Sequence, residues 1–110
     1  TPEYNKAITS SLKDAIDYLY PEWNNKAAGI VGYGSTLGVT AANNLRLALS
    51  VPNVAVVGTQ PGLSLFTDFQ DMSVFNPAPY HEATINTMLD EVVTWSTALK
   101  TVREKTAVEV

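Results

Sequence analysis

Apolar residues recur at helical spacing in three stretches of the chain. Leu12, Ala15, Ile16 and Leu19 step by i, i+3, i+4 and i+7, which is one face of a helix that Pro21 stops near Tyr20. Ser10 or Ser11 suits its N-cap, with Asp14 three residues after Ser11 in a capping-box position. Ala41, Leu45, Ala48 and Leu49 predict a second helix over about 40–49. Ile85, Leu89, Val92, Ser96 and Leu99, flanked by Met88, Trp95 and Val102, predict a long third helix over 81–103. Residues 105–110 read as a frayed tail.

Between the helices lie two unbroken apolar runs, 27–33 and 54–57, the pattern of strands buried on both faces. Strands alternating with helices predict an α/β fold, a parallel sheet with helices on both faces and right-handed crossovers. Residues 1–9 read as extended or turning. Residues 58–80 read as a long connection, too rich in Leu63, Leu65, Phe66, Phe69, Met72, Val74 and Phe75 to be a linker. Two strands would leave most sheet faces and both edges open. Further strands are therefore expected from an N-terminal part preceding Thr1, so that residues 1–110 are the C-terminal part of one domain.

Charge narrows the function classes. Residues 1–50 carry four charges of each sign, and 51–110 carry three positive and seven negative, for a net −4 over 110 residues. Arg46 is the only basic residue between Ala27 and Leu99. Such a chain has no basic stripe for nucleic acid and no polybasic patch for a membrane. It has no apolar run approaching the roughly 20 residues of a membrane span. The absence of cysteine excludes thiolate chemistry and suits a reducing, cytoplasmic setting. His81, the one histidine, stands at a helix start and reads as solvated or capping, with no metal cluster around it. Asp90 and Glu91 read as a solvated helix face. Ser64 lacks the second glycine of a nucleophile elbow.

The loop Gly32-Tyr33-Gly34-Ser35-Thr36-Leu37-Gly38 is one residue longer than a dinucleotide fingerprint, and no Asp or Glu occurs between Glu22 and Asp68. No Gly-Lys-Ser/Thr follows, which excludes a P-loop. Two readings stand. Either the glycines serve close approach of an anionic or planar ligand at the carboxyl end of a parallel strand, or they serve an ordinary strand-to-helix turn.

Three stretches resemble the NADPH-dependent FMN reductase family of flavodoxin-like proteins, which includes chromate, quinone and azo-dye reductases. They are Thr1-Pro2-Glu3-Tyr4-Asn5 with the helix from Ser11 to Leu19; Tyr33-Gly34-Ser35 through Gly38 with Ala41, Leu45 and Arg46; and Phe66-Thr67-Asp68-Phe69 with the final helix. The resemblance implies a flavodoxin-like fold of which this chain supplies the last strands and helices. It implies FMN as cofactor, NADPH or NADH as hydride donor, a small-molecule electron acceptor, and a homodimer or homotetramer. Pro2, Glu3, Tyr4 and Asn5 would border the flavin ring, largely through backbone groups and the Asn5 side chain. Tyr33, Gly34, Ser35 and Gly38 would lie along its other edge. No catalytic acid–base residue and no metal ligand is implied. On this reading Asn5→Ala should weaken FMN, Gly38→Val should weaken it more by steric exclusion, with little loss of stability if helix 40–49 is unaffected, and His81→Ala should leave flavin affinity and turnover unchanged.

The chain departs from the family pattern at Lys6-Ala7, where Gly-Ser is usual, and at Leu37-Gly38-Val39-Thr40, where paired glycines and then Arg are frequent. These changes bear on nicotinamide access and phosphate preference. The family's first strand and its phosphate-gripping loop would precede Thr1. Two other classes stay open: a flavodoxin-like electron carrier or FMN-binding module without a nicotinamide site, and a non-catalytic interaction domain. Residues 63–75 would meet another subunit or merely cover the sheet edge.

Overall fold

A computed structural model describes residues 1–109, without the side chains of 106–109; Val110 lies outside the described residues. Helix α1 spans Ser10–Asp17, α2 Val39–Ser50 and α3 His81–Glu109. The strands are β1 (Ala27–Ala28), β2 (Gly32–Gly34), β3 (Ala55–Val56), β4 (Gly62–Ser64), β5 (Phe69–Gln70) and β6 (Val74–Phe75). The order is α/β as the hydrophobic pattern predicts.

The sheet is parallel. β1 pairs with β3, Ala27 opposite Ala55, and β2 pairs with β4, Gly32 opposite Gly62. Between the two ladders five residues, 57–61, face three, 29–31. The surplus forms a bulge at Gly58-Thr59-Gln60, where the 27–33 run breaks into β1 and β2 and where β3 is separated from β4. Arg46 from α2 fills this bulge. Its Nη2 donates to Val57 O at 2.7 Å and its Nε to Gln60 Oε1 at 2.8 Å. A third chain segment joins the sheet at the other edge. Tyr33 N donates to Thr1 O at 3.0 Å, and Pro2 bridges Tyr33 in parallel.

One face of the sheet holds the core. Ile16, Ile30, Ala42, Leu45 and Leu49 pack together, with Ile8, Leu12, Val54 and Val56 against them. The opposite face receives α3, where a Cβ on Gly29 would stand 2.7 Å from Met88 Sδ. Gly29 is small because α3 crosses there.

Several boundaries differ from the sequence reading. Thr9, not Ser10 or Ser11, caps α1 through Leu12 N at 3.2 Å. The helix ends at Asp17 instead of Tyr20, since Trp23 folds back and its Nε1 donates to Ile16 O at 3.0 Å. The supposed connection 58–80 holds β4 and the antiparallel hairpin β5–β6. The backbone of α3 stays helical through Glu109, where a frayed tail was expected.

Candidate functional site

Residues 1–5 and 33–38 lie at the carboxyl ends of neighbouring parallel strands, the place where open α/β sheets bind ligands. Glu3 joins the two segments. Its carboxylate accepts from Ala41 N at 2.7 Å and from Thr36 Oγ1 at 3.1 Å. It thereby serves as the side-chain cap that α2 lacks locally, because the N-cap residue is Gly38. The Ala41 N–H holds the Glu3 carboxyl below the ordinary glutamate range, against the opposing effect of burial; the Thr36 hydroxyl and the Lys6 charge add to the lowering. The N-terminus of α2 already has its anion, the Glu3 carboxylate.

Beyond Glu3 the chain turns sharply. Tyr4 N donates to Ala7 O at 2.9 Å and Ala7 N to Tyr4 O at 3.1 Å, with Asn5 and Lys6 at φ 51° and 69°. Two left-handed residues in succession define a type I′ turn. Asn44 of α2 steadies it by donating to Lys6 O at 2.7 Å. The turn thrusts Tyr4 and Asn5 out of the surface, and neither side chain hydrogen-bonds within the described residues. Ser35, also exposed, has a free hydroxyl too. Pro2 and Tyr33 sit behind them, half-buried, and the Tyr33 ring lies 6.3 Å from that of Phe69.

The glycines divide. Gly38 has φ +65°, and a Cβ there would stand 2.7 Å from Tyr33 N. Its small size is demanded by its own backbone, so Gly38→Val would damage the fold, contrary to the expectation of a purely steric effect on FMN. At Gly34 a Cβ would meet Gly38 N at 3.6 Å and Glu3 Cβ at 3.7 Å, which is ordinary contact.

His81 overturns the reading as a solvated histidine. It is 4% exposed, and its Nε2 is 2.8 Å from Oδ1 of Asp68, itself 0% exposed. Asp68 also accepts from Ser64 N at 2.7 Å and Ala78 N at 2.9 Å. Burial raises the Asp68 pKa, but the Ala78 and Ser64 N–H groups and His81 outweigh it, and the net direction is down. His81→Ala would therefore open a buried network. Thirteen residues separate the pair; no local spacing rule signals such a contact. Glu91 likewise leaves the solvated face. It accepts from Thr59 Oγ1 at 2.6 Å and Thr59 N at 3.0 Å, which hold its carboxyl below the ordinary range. Among the described residues no cluster of three or more His, Cys, Asp or Glu could hold a metal ion.

The model of the NADPH-dependent FMN reductase family matches residues 1–68, more than half of the chain and the whole of the site just described. The chain belongs to that family. It is 38% identical over 78 residues to an NAD(P)H-dependent FMN reductase of Schizosaccharomyces pombe, covering 71% of this chain and 39% of that protein. It is 40% identical over 58 residues to one from Saccharomyces cerevisiae, covering 53% and 30%. A third, from a Nectria species, is 42% identical over 50 residues, covering 46% and 25%. The chain thus spans less than half the length of these relatives. The family supports the flavodoxin-like α/β fold. No helix of the described residues is long and apolar enough to cross a membrane.

Proposed function

We propose that this chain carries the flavin edge of an NAD(P)H-dependent FMN oxidoreductase. The protein would pass hydride from NADPH or NADH to FMN and on to a small acceptor: a quinone, an azo compound, a metal oxyanion or free flavin. The observation that supports this most is the Glu3 clamp. It fixes residues 1–5 against 33–38 and leaves Tyr4, Asn5 and Ser35 presenting unused polar groups at one end of the sheet. The donor set fits the ring of FMN. Its carbonyls and ring nitrogens call for uncharged partners, and its flat faces suit neighbouring aromatic residues.

When bound, FMN would supply the hydride chemistry, which explains a site without an acid–base dyad. The Asn5 side chain, the Ser35 hydroxyl and the backbone of 2–5 would orient the ring. Tyr33, Gly34 and Gly38 would shape the opposite edge, with Gly38 acting through loop conformation. The three relatives are each named as NAD(P)H-dependent FMN reductases, which favours a reductase over a bare electron carrier.

Flavin-fluorescence titration of the intact protein tests the site. Asn5→Gly keeps the left-handed turn and removes the side chain, and should weaken FMN by about 1–2 kcal/mol, one buried hydrogen bond. Wild-type affinity in both Asn5→Gly and Ser35→Ala would move the flavin elsewhere. Steady oxidation of NADPH or NADH by the intact protein is the matching test of turnover. Its absence despite FMN binding would leave the electron carrier.

We further propose a homodimer or homotetramer in the cytoplasm. Phe66 is 63% exposed, and Met72, Val74 and Phe75 of the same stretch are exposed too. Phe66→Asp should shift the protein toward the monomer, at a cost on the order of 2–4 kcal/mol. Phe69→Asp is no test of this, because Phe69 packs between Tyr33 and Phe75 in its own chain. Unchanged size in Phe66→Asp would leave residues 63–75 as a cover for the sheet edge.

A further inference from the structure

Among the described residues Asp68 and His81 are the buried polar side chains, and neither belongs to the edge assigned to FMN. The two oxygens of Asp68 have separate duties. Oδ1 takes Ala78 N and His81 Nε2, which ties it to the base of α3. Oδ2 takes Ser64 N at 2.7 Å. Ser64 is the register partner of Gly34, and the next residue, Leu65, donates its N–H to Gly34 O at 3.2 Å. Phe69, adjacent in sequence, supports the Tyr33 ring. The carboxylate therefore stands between a long rigid helix and the strand end that carries the 33–38 loop.

We infer that Asp68 is a positioning residue for the 33–38 loop, acting through Ser64 and Leu65, with its other oxygen held by the Ala78 N–H as well as by His81 of α3. A buried carboxylate with three donors has one rigid solution, because each lost partner leaves an unpaired N–H in a dry site. Ser64 cannot shift without giving up Oδ2, and Gly34 cannot shift without giving up Leu65. Loop placement thus depends on the core of the β4–α3 junction in addition to the loop's own Gly38 and Thr36.

The test separates positioning from bulk stability. In Asp68→Asn the remaining oxygen keeps Ala78 and His81, and the new NH₂ faces Ser64 N, so the Ser64 tie is lost selectively. In His81→Leu the Ser64 and Ala78 ties survive and only the tie to α3 is lost. FMN affinity is read by fluorescence titration of the intact, folded protein, and Leu65 amide exchange is read without ligand. Asp68→Asn should weaken FMN about tenfold and speed Leu65 exchange at least tenfold beyond any change in global unfolding. His81→Leu should lower the Tm while changing both readouts less than twofold.

Wild-type FMN affinity and wild-type Leu65 exchange in folded Asp68→Asn would overturn the inference. So would equal losses in both variants, which describe a plain structural hub. Should Asp68→Asn not fold, Asp68→Glu, which keeps the charge but displaces the oxygens by a methylene, must show the same two effects. The functional consequence rests on the flavin reading. If the wild-type protein binds no FMN, that reading fails, and the ligand-free exchange comparison alone decides the role of Asp68.

Discussion

Asn5 and Lys6 sit together in the left-handed region, yet only Asn tolerates it at small cost. Lys6 stands where the family pattern usually has glycine, and the type I′ turn supplies the reason. Lys6→Gly should raise stability by about 0.5–1 kcal/mol, read as a higher urea midpoint with an unchanged slope. A lower midpoint would mean that the charge of Lys6 beside Glu3 outweighs its backbone strain. Gly38→Val should act in the opposite sense, losing about 2–4 kcal/mol from left-handed strain and collision with the Tyr33 backbone. Asp68 adds a pH dependence. Its folded pKa is depressed below the ordinary 3.8, so its contribution is present above that value and is lost as pH falls through the folded one. The acid limb of a urea-midpoint titration should flatten in Asp68→Asn. Of the site, residues 1–5 and 33–38 were legible as motifs. The Glu3 clamp and the Asp68 network were not, because their donors lie 38 and 13 residues away along the chain.

Helices were the more legible elements. α2 runs over Val39–Ser50 against a reading of 40–49, and its inner residues Ala41, Leu45 and Leu49 are buried as the period requires. The strands were recognisable as apolar runs, but their breaks were not. The bulge at 57–61 is a property of the pairing between two runs, and neither run alone carries it. β4 was hidden because Pro61 and Gly62 read as loop residues, although Pro61 is fully buried in the sheet. The β5–β6 hairpin turns through Asp71 and Met72 at φ 51° and 58°, without the glycine that signals such turns. For α3 the period was right, but the face is used unequally. Met88, on the flank of the predicted face, is 6% exposed over Gly29, whereas Leu89 on that face is 49% exposed and Val93, off it, 63%. Met88→Ala should cost about 2–4 kcal/mol, and Val93→Ala within about 0.5 kcal/mol. Equal effects in chemical denaturation would contradict this docking of α3 on the sheet.

At the scale of the molecule, the chain is too open for its mass. Its accessible surface is 7081 Å², where a folded monomer of this mass should show about 5,900 Å². Its radius of gyration is 15.7 Å, against about 13 Å for a compact chain of this length. The excess comes largely from α3. Its 29 residues extend about 44 Å at the helical rise, well past a sheet three segments wide. Leu89, Val93, Trp95 and Val102 stand exposed along it. The hairpin adds Met72, Val74 and Phe75, and the turn after α1 adds Tyr18, Leu19 and Tyr20. Apolar area of this extent on a small chain seeks cover, and so do the unpaired edges of a short parallel sheet. We therefore expect these 110 residues, produced alone, to associate or to lack fixed packing. Light scattering coupled to size exclusion should give a mass above that of the monomer, rising with concentration. A monomer at all concentrations that unfolds in one cooperative transition would show instead that the core around Ile16, Ile30 and Leu45 suffices by itself.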